Sequence, residues 1–169
     1  MRHSTPLRFL GTTALLIALA GCSTAPVQAP GAAQGFPPAE IPSRLTLDQS
    51  NDVTLYAISL VGTPYRWGGN TPEGGFDCSG LIGHVYKSRA EVQTPRTVAA
   101  MTNWGQAVPP AALRTGDLVV FMLKGVASHA GIYVGEGRFV HAPSKGGEVR
   151  LEALNSKYWG KLPVSYRRP

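Results

Sequence analysis

The pattern of apolar and polar positions changes character along the chain, and each change marks an element. Arg2, His3 and Arg8 precede a short apolar run, Phe9-Leu10 and Ala14–Leu19, which closes in Leu19-Ala20-Gly21-Cys22. That run is too short for a comfortable transmembrane helix and reads as a secretory leader over residues 1–21. A plain signal peptide and an uncleaved anchor are the alternatives. From Ser23 to about Ser43 the chain carries Pro26, Pro30, Pro37, Pro38 and Pro42 among Ala, Gly and Gln. Such a stretch cannot bury enough apolar surface to fold. Proline keeps it extended at about 3 Å per residue, so it predicts a tether over residues 22–44. Beyond it, Val53, Tyr56, Ala57, Leu60 and Val61 share one helical face, with Asp48, Asn51 and Asp52 in or before the first turn. Gly62-Thr63-Pro64 stops that helix.

A second helix is expected from Cys78, with Leu81, Ile82, Val85 and Tyr86 on its buried face, and a third from Val98 to about Trp104. After Pro109-Pro110 the period shortens to that of strands. Leu118–Leu123 is almost continuously apolar, which predicts a central strand. Ser128–Gly135 and Arg138–Pro143 flank Gly135-Glu136-Gly137 and predict a hairpin. Glu148–Leu151 and Val164–Arg167 read as further strands. Helices first and an antiparallel sheet afterwards make an α+β domain over residues 45–169.

Charge and composition narrow the partners. The formal net charge is +6. Loss of Arg2 and Arg8 with the leader leaves 14 basic against 10 acidic residues. A mildly basic surface suits an anionic partner such as a cell wall or a membrane surface. No Lys/Arg run or aromatic-basic interleaving is present, so no nucleic-acid partner is expected. Cys22 and Cys78 are the two cysteines. In an exported protein they could pair, but the leader ending gives Cys22 another use, which leaves Cys78 as a free thiol.

The candidate chemistry gathers around Gly74-Gly75-Phe76-Asp77-Cys78-Ser79-Gly80. A cysteine in the first helical turn meets unpaired N–H groups and the positive end of the dipole, which are expected to ease loss of its proton. Asp77 or Ser79 caps this helix. Such a cysteine becomes a catalyst when a base stands beside it. His129 and His141, at or near strand ends, are expected to be neighbours across the hairpin, as base and as the group that orients it. Three plainer readings stand beside this one: a small buried cysteine, structural histidines, and a metal site of Cys78, His129 and His141. No tight Cys-x-x-Cys or His-x-x-x-His spacing supports a metal, and no cofactor is expected. Asp117 reads as turn chemistry before a strand. His84 lies six positions along the Cys78 helix, about 9 Å farther along its axis, and reads as surface or packing. Tyr65 and Trp67 read as core aromatics.

Asp-Cys-Ser-Gly at Cys78, Gly116-Asp117-Leu118-Val119-Val120-Phe121, Ser-His-Ala-Gly-Ile-Tyr-Val-Gly at His129, and Phe-Val-His-Ala-Pro at His141 resemble, in order and spacing, the NlpC family of papain-like cell-wall peptidases. Tyr65-Arg66-Trp67-Gly68-Gly69 and Pro95-Arg96-Thr97 also resemble family blocks. The resemblance implies a papain-like fold, with N-terminal helices packed on a small antiparallel sheet and the nucleophile at a helix N-terminus. It implies Cys78 as nucleophile, His129 as base and His141 as its orienting partner. Tyr65 would face the developing oxyanion together with backbone N–H groups near Cys78. Arg96 would support the site, and Ser79 and Asp77 are candidates for substrate contact. The implied substrate is the peptide part of peptidoglycan, cut at bonds involving D-amino acids or diaminopimelate.

Leu-Ala-Gly-Cys resembles the bacterial lipobox, which implies cleavage before Cys22 and lipid on that residue. Several acyl chains hold a protein on a membrane far more firmly than one. Ser23, rather than Asp, after the cysteine implies the outer membrane of a Gram-negative envelope, facing the periplasm. The expected state is a monomer, with a protein regulator left open. Two other readings remain: a related amidase or acyl transferase, and a non-catalytic envelope lipoprotein that binds wall or a partner.

Overall fold

The computed structural model describes residues 40–144 and 147–169. The leader, the lipidation candidate Cys22 and the tether up to residue 39 lie outside the described residues.

The first helix, α1, spans Leu47–Ser59. Thr46 opens it with a capping box: its hydroxyl accepts from the Gln49 N–H at 3.1 Å, and the Gln49 side chain accepts from the Thr46 N–H at 3.0 Å. Val53 and Ala57 are buried along its inner face, and Leu60 just past its end is buried too. Val61, expected on that face, lies beyond the helix end and is exposed. A small hairpin follows, β1 (Asn70–Thr71) against β2 (Gly75–Phe76), which has too few residues to leave a periodic signal. It delivers the chain to α2, Cys78–Ala90, which packs against α1. Lys87 and Arg89 sit in the last turn of α2, where cations suit the dipole. The third helix, α3, is only Val98–Met101. It stops before Trp104 because the Thr102 hydroxyl and N–H both turn back to the Ala99 carbonyl.

The rest is one antiparallel sheet built from β3 (Gln106–Val108), β4 (Leu118–Leu123), β5 (Val126–Gly135), β6 (Arg138–His141), β7 (Arg150–Ala153) and β8 (Val164–Arg168). Its order is β3-β8-β4-β5-β6-β7, so β4 is central, as its apolar run predicts. Alternation explains that run. Leu118 and Val120 face the helices with Val53, Ala57, Leu81, Ile82 and Val85. Val119 and Phe121 belong to a second cluster with Phe139 and Trp159. Both faces of β4 are therefore dry. The edge strand β3 adds to the expected strands, and β7 begins at Arg150 rather than Glu148, which bridges to Pro64 and pairs with Arg150 at 3.8 Å.

Asp117 and Arg168 lock the start of β4 to the end of β8. The Arg168 Nε and Nη2 donate to Asp117 at 2.9 and 2.8 Å, and the Arg114 N–H donates to Asp117 at 3.0 Å. The carboxylate is buried and committed to this pair, a structural use in keeping with its turn position. The architecture is α+β: helices layered on one face of a mainly six-stranded sheet, with the first turn of α2 facing β5.

Candidate active site

Cys78 is the first residue of α2, and Asp77 is its N-cap. The Asp77 Oδ1 accepts from the Gly80 N–H at 2.6 Å and from the Ser79 hydroxyl at 2.9 Å. Its Oδ2 accepts from the Gly68 N–H at 3.0 Å. Of the two capping candidates it is therefore Asp77 that caps. Arg96 closes the cluster, donating to both carboxylate oxygens at 2.8 and 3.0 Å and to the Ser79 hydroxyl at 2.5 Å. Burial pushes the Asp77 carboxyl up, but the Arg96 hydrogen bonds, the Gly80 N–H and the Ser79 hydroxyl outweigh it and hold it below the usual carboxylate range. The start of α2 is pressed on the loop before it. A Cβ on Gly80 would lie 2.0 Å from the Gly69 carbonyl oxygen, so only glycine fits.

The thiol itself departs from expectation. Its pKa is raised, first by burial and then by the neighbouring Asp77 charge, while the N–H groups of Ser79, Ala130 and Cys78 pull it down. Desolvation thus outweighs the helix terminus, and the resting group is the neutral thiol. The Ala130 N–H belongs to the residue after His129, so β5 brings its backbone directly onto the sulfur.

His129 lies within β5, inside the strand rather than at its end, and His141 is the last residue of β6. The His129 Nε2 and the His141 Nδ1 stand 2.8 Å apart. Gly131 makes room for the pair. A Cβ there would fall 2.7 Å from the Val140 carbonyl oxygen and 3.1 Å from the His141 Cβ. Burial lowers the His129 pKa to about 4. Burial, the adjacent His129 and Arg150 lower that of His141 to about 3. Both rings are neutral at pH 7, as a proton acceptor must be.

Two residues of this corner carry no motif. Trp159 stacks on His129 with centroids 5.0 Å apart and stands edge-on to His141, also at 5.0 Å. Its Nε1 donates to the Glu152 Oε2, and the other Glu152 oxygen lies 3.7 Å from the His141 Nε2. Nothing in the spacing marks Glu152 or Trp159. They join the site only through the β6–β7 pairing, which sets Phe139 opposite Glu152 and His141 opposite Arg150.

Tyr65 is half-buried beside the thiol. Its phenol pKa is raised by burial and then by the Cys78 and Asp77 charges, so the hydroxyl stays a donor. Trp67 is not a core aromatic: it is 87% exposed, carried outward where Gly68 turns the loop with a φ of 74°. His84 packs on Phe76, and its Nε2 meets the Tyr56 hydroxyl at 2.9 Å. Among the described residues, no three His, Cys, Asp or Glu side chains converge to hold a metal ion. Two hollows open at the site. One of about 290 Å³ lies beside Ser79 and Arg96, and one of about 520 Å³ beside His129, Glu152, Tyr158 and Trp159.

Known proteins share this arrangement of elements. The NlpC/P60 family model matches residues 62–168. The murein DD-endopeptidase MepH of Escherichia coli K12 is 42% identical over 115 residues, 66% of this chain and 42% of MepH. The gamma-DL-glutamyl hydrolase of Bacillus subtilis 168 is 39% identical over 118 residues, 69% of this chain and 28% of that protein. The crystal structure of the NlpC/p60 domain of the peptidoglycan hydrolase SagA superposes with a TM-score of 0.60 at 28% identity, covering 69% of this chain and 96% of that one. This chain thus spans half or less of the length of those two full-length relatives, and nearly the whole of the SagA domain. The match over residues 62–168 takes in Tyr65, Cys78, Arg96, His129 and His141, and the chain belongs to the NlpC/P60 family.

Proposed function

We propose that this chain is a cysteine peptidase that cuts the peptide part of peptidoglycan, at bonds involving D-amino acids or diaminopimelate, while anchored by lipid on Cys22 to the periplasmic face of an outer membrane. The observation that carries the chemistry is the neutral His129 ring, 2.8 Å from His141, on the strand whose Ala130 N–H meets the Cys78 sulfur. The substrate class rests on family membership and on relatives that include a murein DD-endopeptidase. The anchor rests on the lipobox-like Leu19-Ala20-Gly21-Cys22 and on Ser23.

In this mechanism the His129 Nε2 is turned to His141, which leaves Nδ1 for the thiol. His129 takes the Cys78 proton as the sulfur attacks the peptide carbonyl. The oxyanion is met by the Cys78 N–H and the Tyr65 hydroxyl. His129 then gives its proton to the leaving nitrogen as the C–N bond breaks, and a thioester remains. Water attacks the thioester, His129 accepts the water proton, and the thiol is restored as the C–S bond breaks. Asp77, Ser79 and Arg96 fix the nucleophile's helix, and Ser79 and Arg96 line the neighbouring hollow, where they are placed to hold substrate.

The test is incubation of the purified protein with peptidoglycan, with released fragments weighed and Cys78→Ala as control. Fragments that depend on Cys78 are expected, and their masses name the bond. Fragments that persist in Cys78→Ala, or a folded wild type that releases none, would sink the reading.

A further inference from the structure

The imidazole pair is competent in only one of its two neutral arrangements. The 2.8 Å contact between the His129 Nε2 and the His141 Nδ1 holds a single hydrogen when both rings are neutral. If that hydrogen sits on His129, its Nδ1 is a lone pair ready for the thiol proton, and His141 carries its own hydrogen on Nε2. If it sits on His141, the His129 Nδ1 is already protonated and cannot act as base. Some group must choose between the two.

The His141 Nε2 is completely buried and has no hydrogen-bond partner among the described residues. The Glu152 carboxylate stands just beyond bonding distance of it, with Oε1 at 3.7 Å. Its other oxygen is anchored by the Trp159 Nε1, and Trp159 in turn stacks on His129. We propose that Glu152 is a fourth member of the catalytic row, a positioning residue that keeps the hydrogen of His141 on Nε2 and thereby keeps His129 ready as base. A carboxylate accepts and never donates, so a lone pair on the His141 Nε2 would face a negative charge and be repelled. When His129 takes the thiol proton, the same carboxylate lies behind the positive charge shared by the two rings. The other charged or titratable groups facing His141 are His129 from β5 and Arg150 from β7, and both disfavour a positive ring. Glu152, with Oε1 3.7 Å from Nε2, is the acidic group placed against them.

The inference rests on the peptidase reading, and its test separates the two. The tautomer of each ring is read by ¹⁵N–¹H long-range correlation on the purified full chain, without substrate. Hydrogens on the Nε2 of both His129 and His141 are expected, with His141 becoming mixed in Glu152→Gln. Hydrogen on the His141 Nδ1 in the wild type overturns the inference, whether or not peptidoglycan is cut and whether or not Glu152→Gln folds.

Kinetics give the second arm. Glu152→Gln keeps an acceptor for Trp159 but loses the charge. Its kcat is expected to fall about 10-fold at unchanged KM, because the lost charge faces the ring pair that becomes positive only during reaction. The acid limb of kcat/KM should move to lower pH, because a ring without a carboxylate behind it protonates later. Glu152→Asp should recover part of the loss. A raised KM with kcat intact would make Glu152 a substrate contact and overturn the positioning role. Unchanged kinetics would overturn it as well. A wild type that cuts nothing would instead count against the peptidase reading, while the tautomers still decide the role of Glu152.

Discussion

The two walls that meet at Cys78 are built on opposite principles. On one side Asp77, Ser79 and Arg96 form a partly exposed cluster in which every charge is paired and the carboxylate is held ionised. On the other, His129 and His141 sit among Phe121, Phe139 and Trp159, held neutral, with His141 fully buried and His129 open to the hollow beside it. Charge is kept where water and a guanidinium sustain it. Neutrality is kept where a group must accept a proton. The thiol between them is neutral at rest, because burial and Asp77 outweigh the helix terminus. In the proposed mechanism, proton transfer to His129, rather than a standing thiolate, starts the reaction.

The largest expected difference between the walls is their response to acid. Both histidines have folded pKa values, about 4 and about 3, far below the ordinary value of about 6.5. As pH falls below about 6.5 the unfolded chain takes up these protons before the folded one does. Stability should therefore drop from there through the folded values, by up to about 1.4 kcal/mol per pH unit for each ring. Asp77 has the other timing. Its folded pKa is lowered, so its stabilisation persists above the ordinary carboxylate value of about 3.9 and is lost only as pH falls through the depressed one. Denaturant unfolding at a series of pH values should show a slope between about pH 6.5 and 4. Replacing His129 and His141 by Gln should flatten it, and Asp77→Asn should not. A wild-type profile already flat over that range would break the contrast.

Gly131→Ala probes how tightly the histidine wall is packed. The new methyl would meet the Val140 carbonyl oxygen and the Phe139 ring, each at 2.7 Å, and backbone cannot step aside. A cost of about 1–3 kcal/mol is expected, as for other overpacked sites. Because His141 shares that space, kcat should fall more than KM rises. Gly83→Ala is the control: its methyl would meet only the Thr94 hydroxyl, at 3.4 Å, and should be neutral or slightly stabilising in a helix. Melting temperatures of the two variants check this. Equal shifts would mean that β5 and β6 yield more easily than these distances imply.

What the chain reveals of itself follows the same division. The start of α2, the central β4 and the β5–β6 hairpin are legible because each rests on local periodicity or a tight glycine turn. Cys78, His129 and His141 stand out because their residue types are rare and their elements are local. Glu152 and Trp159 are invisible, since a glutamate and a tryptophan acquire meaning only when β7 pairs with β6. The direction of the Cys78 shift is illegible for a related reason. The helix dipole can be read from neighbouring residues, whereas burial is set by β5 crossing from far along the chain. Trp67 shows the converse: its aromatic character suggests a core, and a glycine turn puts it in solvent.

Arg96→Ala should cost less stability than Gly131→Ala. The guanidinium side chain is about half exposed, which screens its attraction for Asp77. An ion pair of that kind contributes about 1 kcal/mol or less. Asp77 would keep the Gly80 and Gly68 N–H groups and the Ser79 hydroxyl, so the cap on α2 should survive. Its carboxyl pKa should rise, since the strongest of the groups that hold it down is gone. Carboxyl ¹³C titration reads that rise, and thermal melting reads the small loss of stability. If Arg96→Ala instead costs as much as Gly131→Ala, the guanidinium is a structural brace between Asp77 and the Gly69 carbonyl that it also reaches at 3.4 Å. The two walls would then differ in charge but not in rigidity, and Cys78 would be clamped from both sides alike.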